Sequence, residues 1–304
     1  MSKSRPPLAL IAGPTASGKS ALAMALARRT GGVIVNADSA QLYSDLPIIS
    51  AAPTPRELAE VDHRLYGFRD GDDPCSAADW AALAKAEIDD LQRAGILPIL
   101  VGGTGLYIRT LLDGIAPVPA IDPAIRLEVR AATVTDNRAR LEKLDPAAAA
   151  RLDDADTTRI ARALEVVRST GQTLAQWQQH LAGGIGDRVT LRPLILLPPR
   201  DWLLARCDRR FAEMLDNGAI EEVARLIARG LNPALPVMRA IGVREIAEGG
   251  DQAAMIARGQ ISTRRYAKRQ YTWFSNQPPR DWKRFLAPLD GPQAIDDALA
   301  LLAD

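Results

Sequence analysis

LALIAGPTASGKSALAMALARR, residues 8–29, is the stretch that decides the fold. An apolar run at 8–12 predicts a buried strand, and an Ala/Leu-rich run after residue 19 predicts a helix. Between them lies the P-loop pattern GxxxxGK[ST]. The residues that form it, and that are predicted to bind a diphosphate, are Gly13, Pro14, Thr15, Ala16, Ser17, Gly18, Lys19 and Ser20.

The chemistry of this loop follows from its residue types. Its backbone amides converge on phosphate oxygens at the positive N-terminus of the following helix. Lys19 supplies a mobile cation, and the Ser20 hydroxyl is the expected Mg²⁺ ligand. Such loops are typical of nucleotide-binding and ATP-binding proteins, but the loop alone does not decide whether the diphosphate belongs to ATP or to another compound.

Apolar runs at 8–12, 33–35, 98–101 and 193–197 do not alternate with polar residues, which is typical of strands buried on both faces. Helical patterns separate at least the first three runs. This order predicts an α/β fold, a P-loop NTPase-like doubly wound parallel sheet with strand order 2-3-1-4-5. Its binding crevice should lie at the carboxyl ends of the strands.

Between about residues 120 and 186 the strand pattern gives way to short helical patterns cut by Asp-Pro, Asp-Thr and Gly. An apolar strand follows, so this region is predicted to leave the core and return. The expected division is a first part of the P-loop core at 1–118, an all-helical insertion at 119–187, and the completion of the core with basic C-terminal helices at 188–304.

Asp38 follows the second predicted strand, in the sequence NADSAQLY, residues 36–43. In the predicted sheet this strand end faces the P-loop, where a carboxylate could take a proton from an incoming nucleophile. The alternative is that Asp38 only caps the next turn. The third strand ends in Gly102, Gly103 and Thr104, so the Asp that holds Mg²⁺ in most P-loop NTPases is missing from that position.

Composition narrows the function classes. The chain has 304 residues, 47% hydrophobic and 25% charged, with no apolar run long enough for a signal peptide core or a membrane span, so a soluble cytoplasmic protein is expected. Two cysteines and two histidines are too few for a disulfide framework or a zinc site. The net charge is +1, yet residues 254–274 contain five basic residues and no acidic one, which favours a large anionic partner.

Six motifs occur in order: GPTASGKS, NADSAQLY, LVGGTGLYI, a helical segment ending in DADTTRIARALEV, MRAIGVREI and YAKRQYTWF. Together they resemble the bacterial tRNA dimethylallyltransferase family over nearly the whole chain. The resemblance implies transfer of a dimethylallyl group from dimethylallyl diphosphate to the exocyclic N6 amine of the adenosine 3′ of the tRNA anticodon, with release of diphosphate. It also implies that Asp38 is the base, that Thr104 orients the reacting groups and that Arg239 supports the diphosphate.

The same resemblance, together with the basic segment, gives a set of expected contacts to the anticodon stem-loop. Offsets of 7 and 11 residues put Arg258, Arg265 and Arg269 on one helical face, as a phosphate track requires. The full set is Asp38, Ser39, Ala40, Gln41, Thr104, Arg126, Thr158, Arg159, Ile160, Ala161, Arg162, Arg258, Gln260, Ile261, Ser262, Thr263, Arg264, Arg265 and Arg269.

Three other functions remain open from the residues alone. A P-loop small-molecule kinase would use Lys19 on ATP and Asp38 as the base for a substrate hydroxyl. A prenyltransferase acting on free adenylate would need neither the helical insertion nor the basic segment, and a non-enzymatic RNA-binding protein would have no use for Asp38. His63, Arg206, Arg209 and Arg210 receive no role from the sequence. A monomer is expected.

Overall fold

The structure is a computed structural model that describes residues 5–303. Residues 1–4 and 304, the outer ends of the predicted first and last segments, lie outside the described part. The chain divides into two compact units, the first running up to Leu112 and resuming at Ile185, and the second spanning Asp113–Gly184. For comparison, the bounds predicted for the insertion were 119–187.

The first unit is built on a six-stranded parallel sheet in the order β3-β2-β4-β1-β5-β6. The strands are β1 Pro7–Ala12, β2 Val33–Asn36, β3 His63–Arg64, β4 Pro98–Gly102, β5 Thr190–Leu196 and β6 Lys283–Phe285. The four strands predicted from apolar runs are β1, β2, β4 and β5, in the predicted relative order. The predicted fold class is confirmed, with β3 and β6 as additional edge strands.

Helices cover both faces of this sheet. They are α1 Lys19–Thr30, α2 Pro55–Glu60, α3 Ala77–Arg93, α4 Gly105–Asp113, α10 Arg200–Asp216, α11 Ala219–Ala228, α12 Val243–Ala247, α13 Gln252–Asn276 and α14 Gly291–Ala303. Successive residues of one strand enter different cores: Leu10 packs in the core with α3 and α10, whereas Ile11 packs in the core with α1 and α14. This explains why the central strands β1 and β4 do not alternate between apolar and polar residues.

Helix ends follow the sequence signals. Ser76 and Asp79 form a reciprocal capping box at the start of α3, and α1 ends where Gly31 takes the left-handed conformation. No helix among residues 5–303 is both long enough and apolar enough to cross a membrane.

The second unit is all helical and has its own core. Its helices are α5 Pro123–Ala131, α6 Val134–Leu144, α7 Pro146–Arg151, α8 Thr157–Thr170 and α9 Leu174–Trp177. Val129, Leu141, Ile160 and Leu164 form the centre of its apolar cluster. The buried carboxylate of Glu165 is neutralised by Arg130 at 2.6 Å, as a charge removed from water requires.

Candidate active site

The P-loop connects β1 to α1. Gly18 has the left-handed conformation, with φ of +99°, directly before the helix begins at Lys19. The Lys19 ammonium folds back and donates to the carbonyl oxygen of Pro14 at 2.7 Å. Ala16 also has a positive φ, of +62°, and Ser20 is exposed at the first turn of α1. The loop therefore presents the helix N-terminus, a lysine and a hydroxyl on one side.

A cavity of about 420 Å³, here called the phosphate cavity, opens beside this loop. Its cations are Lys19 from the P-loop and three arginines from α10: Arg206, Arg209 and Arg210. The carboxylates of Asp38, Glu57 and Glu213 also line it. Four cations around a helix N-terminus form a site suited to a compact polyanion such as a diphosphate.

The protonation of Lys19 is sensitive to this setting. Burial lowers the pKa of Lys19 to about 8, the nearby carboxylate of Asp38 opposes the shift, and the Arg210 charge adds to it. Burial also lowers the pKa of the Arg210 guanidinium. An anion entering the phosphate cavity would favour the charged form of both groups.

Asp38 stands at the end of β2. Its Oδ1 atom accepts a hydrogen bond from the Ala40 backbone amide at 3.1 Å and caps the short 3₁₀ turn Ser39–Leu42. The amide of Asn36 braces the same residue, because its Oδ1 accepts from the Asp38 N–H at 2.8 Å and its Nδ2 donates to the Asp38 carbonyl at 3.0 Å. The capping role considered from the sequence is therefore present. The Oδ2 atom has no hydrogen-bond partner among residues 5–303 and is available to a substrate.

Thr104 lies next to this turn rather than on a cavity wall. Its hydroxyl oxygen accepts from the Ser39 backbone N–H at 3.0 Å and lies 3.3 Å from the Ser39 hydroxyl, to which it donates. Its own N–H donates to the Ala37 carbonyl at 3.2 Å. In this structure Thr104 holds the segment that carries Asp38 and does not line the phosphate cavity.

One buried amide joins the loops at the strand ends. Gln270 of α13 accepts from the Thr15 N–H at 2.8 Å and donates to the Gly103 carbonyl at 2.9 Å. A Cβ at Gly103 would lie 2.5 Å from the Gln270 amide nitrogen, and one at Gly105 would lie 2.5 Å from the Trp273 ring. The close approach of α13 to the strand ends explains the glycines after β4.

A second cavity, of about 270 Å³ and here called the apolar cavity, adjoins the first. Its walls are largely apolar or aromatic and include Tyr43, Ile49, Tyr107, Phe211, Met214 and Tyr266. Four residues line both cavities: Thr15, Asp38, Ser50 and Arg210. The site thus combines a charged chamber and an apolar chamber, with the Asp38 carboxylate and the Arg210 guanidinium where they meet.

Both cysteines lie on the apolar cavity. Cys75 and Cys207 are free thiols, and burial raises the pKa of each. They are therefore protonated near neutral pH and act as small apolar surfaces.

Arg239 belongs to a different part of the surface from the P-loop. It lines the apolar cavity and also an open cleft of about 540 Å³, here called the arginine cleft. The other arginines of that cleft are Arg244, Arg265 and Arg269, against a single carboxylate, Glu245. Arg239 does not line the phosphate cavity in this structure, so its place at the boundary with the arginine cleft differs from the position expected for a diphosphate ligand.

The basic segment forms most of α13, and its residues are used in different ways. The Arg258 guanidinium donates to the carbonyl of Glu245 at 2.8 Å and to that of Gly249, so it caps the end of α12. Arg264 pairs with Asp208 at 2.7 Å, and Gln260 donates to the Asp208 carbonyl at 3.3 Å. These three side chains have partners within the chain.

The remaining residues of the segment point elsewhere. Thr263 is buried and lines the apolar cavity, whereas Ser262 lines the arginine cleft. Ile261, Arg265 and Arg269 are exposed. The three arginines predicted to share one helical face therefore do not share one environment, because Arg258 reaches back to cap a neighbouring helix.

In the second unit, Arg126, Thr158 and Arg159 are exposed and Arg162 is half-buried. Burial lowers the pKa of Arg162; the nearby Glu165 carboxylate opposes this shift, and the charges of Arg126 and Arg130 add to it. Ile160 and Ala161 are buried in the core of this unit. The positive surface of α5 and α8 thus comes from arginines, and Ile160 and Ala161 hold α8 in place.

Arg206, Arg209 and Arg210, which have no role predictable from the sequence, line the phosphate cavity. Their spacing of three and four residues on a helix puts Arg206 and Arg210 on one face. This spacing is visible in the sequence after the fourth apolar run. It does not predict that the arginines lie beside the P-loop, because the two segments are far apart in the chain. His63 lies on β3, where its Nδ1 atom is 2.8 Å from the Val61 carbonyl oxygen.

Comparison with known proteins adds independent information. The family model described as IPP transferase matches residues 41–277, and the model described as isopentenyl transferase matches residues 6–72. A tRNA dimethylallyltransferase from Erythrobacter litoralis is 61% identical over 289 residues, covering 92% of this chain and 91% of the relative. One from Sphingopyxis alaskensis is 61% identical over 287 residues, covering 93% and 94%. The chain belongs to the tRNA dimethylallyltransferase family.

Solved structures of the family share the fold. The tRNA isopentenylpyrophosphate transferase of Bacillus halodurans superposes with a TM-score of 0.70 at 31% identity, over 98% of this chain and 95% of that one. A eukaryotic dimethylallyltransferase captured acting on tRNA gives a TM-score of 0.76 at 27% identity, over 88% of this chain and 70% of that one. Family membership confirms the resemblance drawn from the six motifs, and the kinase alternative is not favoured.

Proposed function

We propose how the residues of this site divide the work of the family's reaction. The chain is a prenyltransferase that transfers a dimethylallyl group from dimethylallyl diphosphate to tRNA and releases diphosphate. The acceptor is the exocyclic N6 amine of the adenosine 3′ of the anticodon. The single observation that carries the proposal is the meeting of a charged chamber and an apolar chamber at Asp38 and Arg210.

The phosphate cavity holds the donor's diphosphate. Lys19, Arg206, Arg209 and Arg210 neutralise the charge that develops on the leaving oxygen as the allylic carbon–oxygen bond breaks. An allylic diphosphate leaves readily once this charge is balanced. In this reaction the P-loop contributes electrostatic stabilisation of a leaving group.

The donor atoms present fit Mg²⁺. Ser20 offers an exposed hydroxyl, and Asp38 and Glu57 line the same cavity. No cluster of three or more histidine, cysteine or acidic residues that could hold a metal occurs within the described range 5–303. This donor set suits an ion bound mainly through diphosphate oxygens and water, as Mg²⁺ prefers. When bound, Mg²⁺ would supply further positive charge to the diphosphate.

Asp38 acts on the nucleophile. The adenine amine is weak because its lone pair is delocalised into the ring, so proton removal must accompany attack. As the N6–C1 bond forms and the C1–oxygen bond breaks, the diphosphate leaves with the bonding electrons and the N6 proton passes to the carboxylate oxygen of Asp38 not used in the cap. Thr104 and Asn36 support this step by holding the turn around Asp38.

The target base must leave its stack to reach the apolar cavity. We place the backbone of the anticodon stem-loop along the arginine cleft, with further contacts from Arg126, Arg159 and Arg162 in the second unit. The segment Asp38–Gln41 would meet the flipped base and its neighbours. We expect the chain to act as a monomer in the cytoplasm, where its tRNA substrate is found.

The direct test uses unmodified tRNA, dimethylallyl diphosphate labelled in the prenyl group, and Mg²⁺, with ATP omitted. Label should enter the RNA, and nuclease digestion should recover it on the adenosine 3′ of the anticodon. A labelled small-molecule product that forms only when ATP is added would support a kinase and contradict the proposal.

We expect diphosphate binding to weaken as the pH rises above 8. The free Lys19 ammonium loses its proton near pH 8, because burial lowers its pKa to about 8. The bound anion needs the charged form, so affinity should fall about tenfold between pH 7 and about pH 9. Titration calorimetry with inorganic diphosphate measures this.

Lys19→Arg is the matched control for this pH profile, since a guanidinium stays charged over the whole range. The ionisation of the ligand itself affects both proteins equally, so the informative quantity is the ratio of their dissociation constants. A ratio that does not change with pH would show that Lys19 is not the titrating group.

Arg265→Ala should weaken tRNA binding and flatten its salt dependence. Arg265 is exposed on the arginine cleft, and each lost phosphate contact lowers the slope of log K against log salt by about one. Filter binding at several salt concentrations gives the slope. Arg93→Ala, at the exposed end of α3, removes the same charge outside the three cavities described above and should leave the slope unchanged. An equal slope in the two variants would contradict the placement of RNA on the cleft.

A further inference from the structure

The helix α10 lines both chambers. Arg210 lies at the phosphate cavity and at its junction with the apolar cavity, whereas Phe211 and Met214 line only the apolar cavity. Met214 is four residues beyond Arg210, about 6 Å along the helix axis at 1.5 Å per residue. One rigid element therefore carries both the group that faces the diphosphate and the apolar wall next to it.

This wall is packed from behind. A Cβ at Gly259 of α13 would lie 1.9 Å from the Phe211 ring, so the ring rests directly on the helix backbone. Gly242 gives similar room to Ile49, whose Cγ1 would be 2.5 Å from a Cβ at that position. Phe211 and Met214 are 3% and 9% exposed. The Phe211 side of the wall cannot retreat, since the ring already contacts the backbone of α13.

The volume behind the reacting carbon is limited. A second isoprene unit would add five carbon groups, each close to the ~30 Å³ share of a water in liquid, or roughly 150 Å³ in total. That exceeds half of the 270 Å³ of the apolar cavity, which must also admit part of the flipped adenine. The ten carbons of such a donor would together need roughly 300 Å³, which is more than the apolar cavity holds.

We infer that Phe211 and Met214 form the chain-length stop of the prenyl donor, with α10 fixing their distance from the diphosphate. The inference rests on the proposed function and adds the residues that select a five-carbon over a ten-carbon allylic diphosphate. The bonds formed and broken are those of the dimethylallyl reaction, with the longer chain on the same reacting carbon. Phe211 and Met214 contact the donor chain and take no part in proton transfer.

The test compares dimethylallyl and geranyl diphosphate as donors to the same tRNA, with mass analysis of the modified nucleoside. In Met214→Ala and Phe211→Ala the ratio of kcat/KM for geranyl over dimethylallyl diphosphate should rise by at least about 100-fold, because pocket discrimination by single carbon groups is already worth about ten- to 200-fold. Met214→Leu keeps the volume and should keep the ratio. Met255→Ala, which shortens a methionine that packs on the same core but does not line the cavity, should also keep it.

The outcomes separate this inference from the proposed function. If the unmodified protein prenylates tRNA but neither alanine variant gains geranyl transfer, the chain-length stop is wrong and the transferase stands. A raised KM for tRNA with an unchanged donor ratio would mean that Phe211 and Met214 contact the flipped adenine and not the donor. That result would also overturn the inference. If Phe211→Ala fails to fold, Met214→Ala decides, with its melting temperature as the check on folding. Absence of transfer by the unmodified protein would instead contradict the proposed function.

Discussion

Replacing Asp38 with asparagine should lower the single-turnover rate of prenyl transfer by about 10² or more, the usual effect of losing a general base. Asparagine keeps the side-chain oxygen that accepts from the Ala40 N–H, so the turn around residue 38 should remain intact. An amide cannot take the N6 proton. Binding of tRNA, measured by filter retention, should stay within about tenfold of the unmodified protein.

Asp38→Ala serves as the comparison, because it removes both the base and the cap. It should lose at least as much rate as the asparagine variant. A lower melting temperature distinguishes it, since a lost cap costs about 1 kcal/mol. If Asp38→Asn turned over at nearly the normal rate, or if rate and tRNA affinity fell together, Asp38 would be a structural residue.

Arg210→Ala should have an effect of similar size through the leaving group. Its guanidinium contacts the Thr15 hydroxyl and lies where the two chambers meet. Removing one charged donor from a preorganised site costs about 10² to 10³ in rate. We expect that loss in single-turnover transfer together with weaker binding of inorganic diphosphate, while tRNA affinity is retained.

Arg200→Ala is the matched control on the same helix. That guanidinium stacks on Tyr271 at 4.8 Å and lines neither chamber, so its loss should not change the binding of diphosphate. Equal losses in the two variants would point to a general effect on α10. Unchanged diphosphate binding in Arg210→Ala would remove this residue from the diphosphate site.

Most of the fold could be predicted from the sequence, because in the first unit the local sequence patterns agree with the overall topology. The apolar runs, the P-loop and the Ser76 cap each predict an element that the structure contains. The position of Asp38 opposite the P-loop followed from strand order alone. β3 and β6 are only two and three residues long, so no periodic pattern could reveal them.

The sequence could not predict which partners the side chains find in the folded protein. A helical-face argument treats Arg258, Arg265 and Arg269 alike, yet Arg258 caps α12 while the other two stay exposed. The role of Gln270 depends on bonds to residues 255 and 167 positions away. Arg210 likewise gains its partner only when α10 packs beside the P-loop. Such contacts have no local signature.

The closeness of α13 to the strand ends has a consequence for the alignment of the P-loop. A Cβ at Gly103 would lie 2.5 Å from the Gln270 amide nitrogen. That amide bridges the Thr15 N–H and the Gly103 carbonyl, so alanine at Gly103 would displace the side chain that ties the P-loop to the loop after β4. The seat of the diphosphate therefore depends on a position where the chain has no side chain at all.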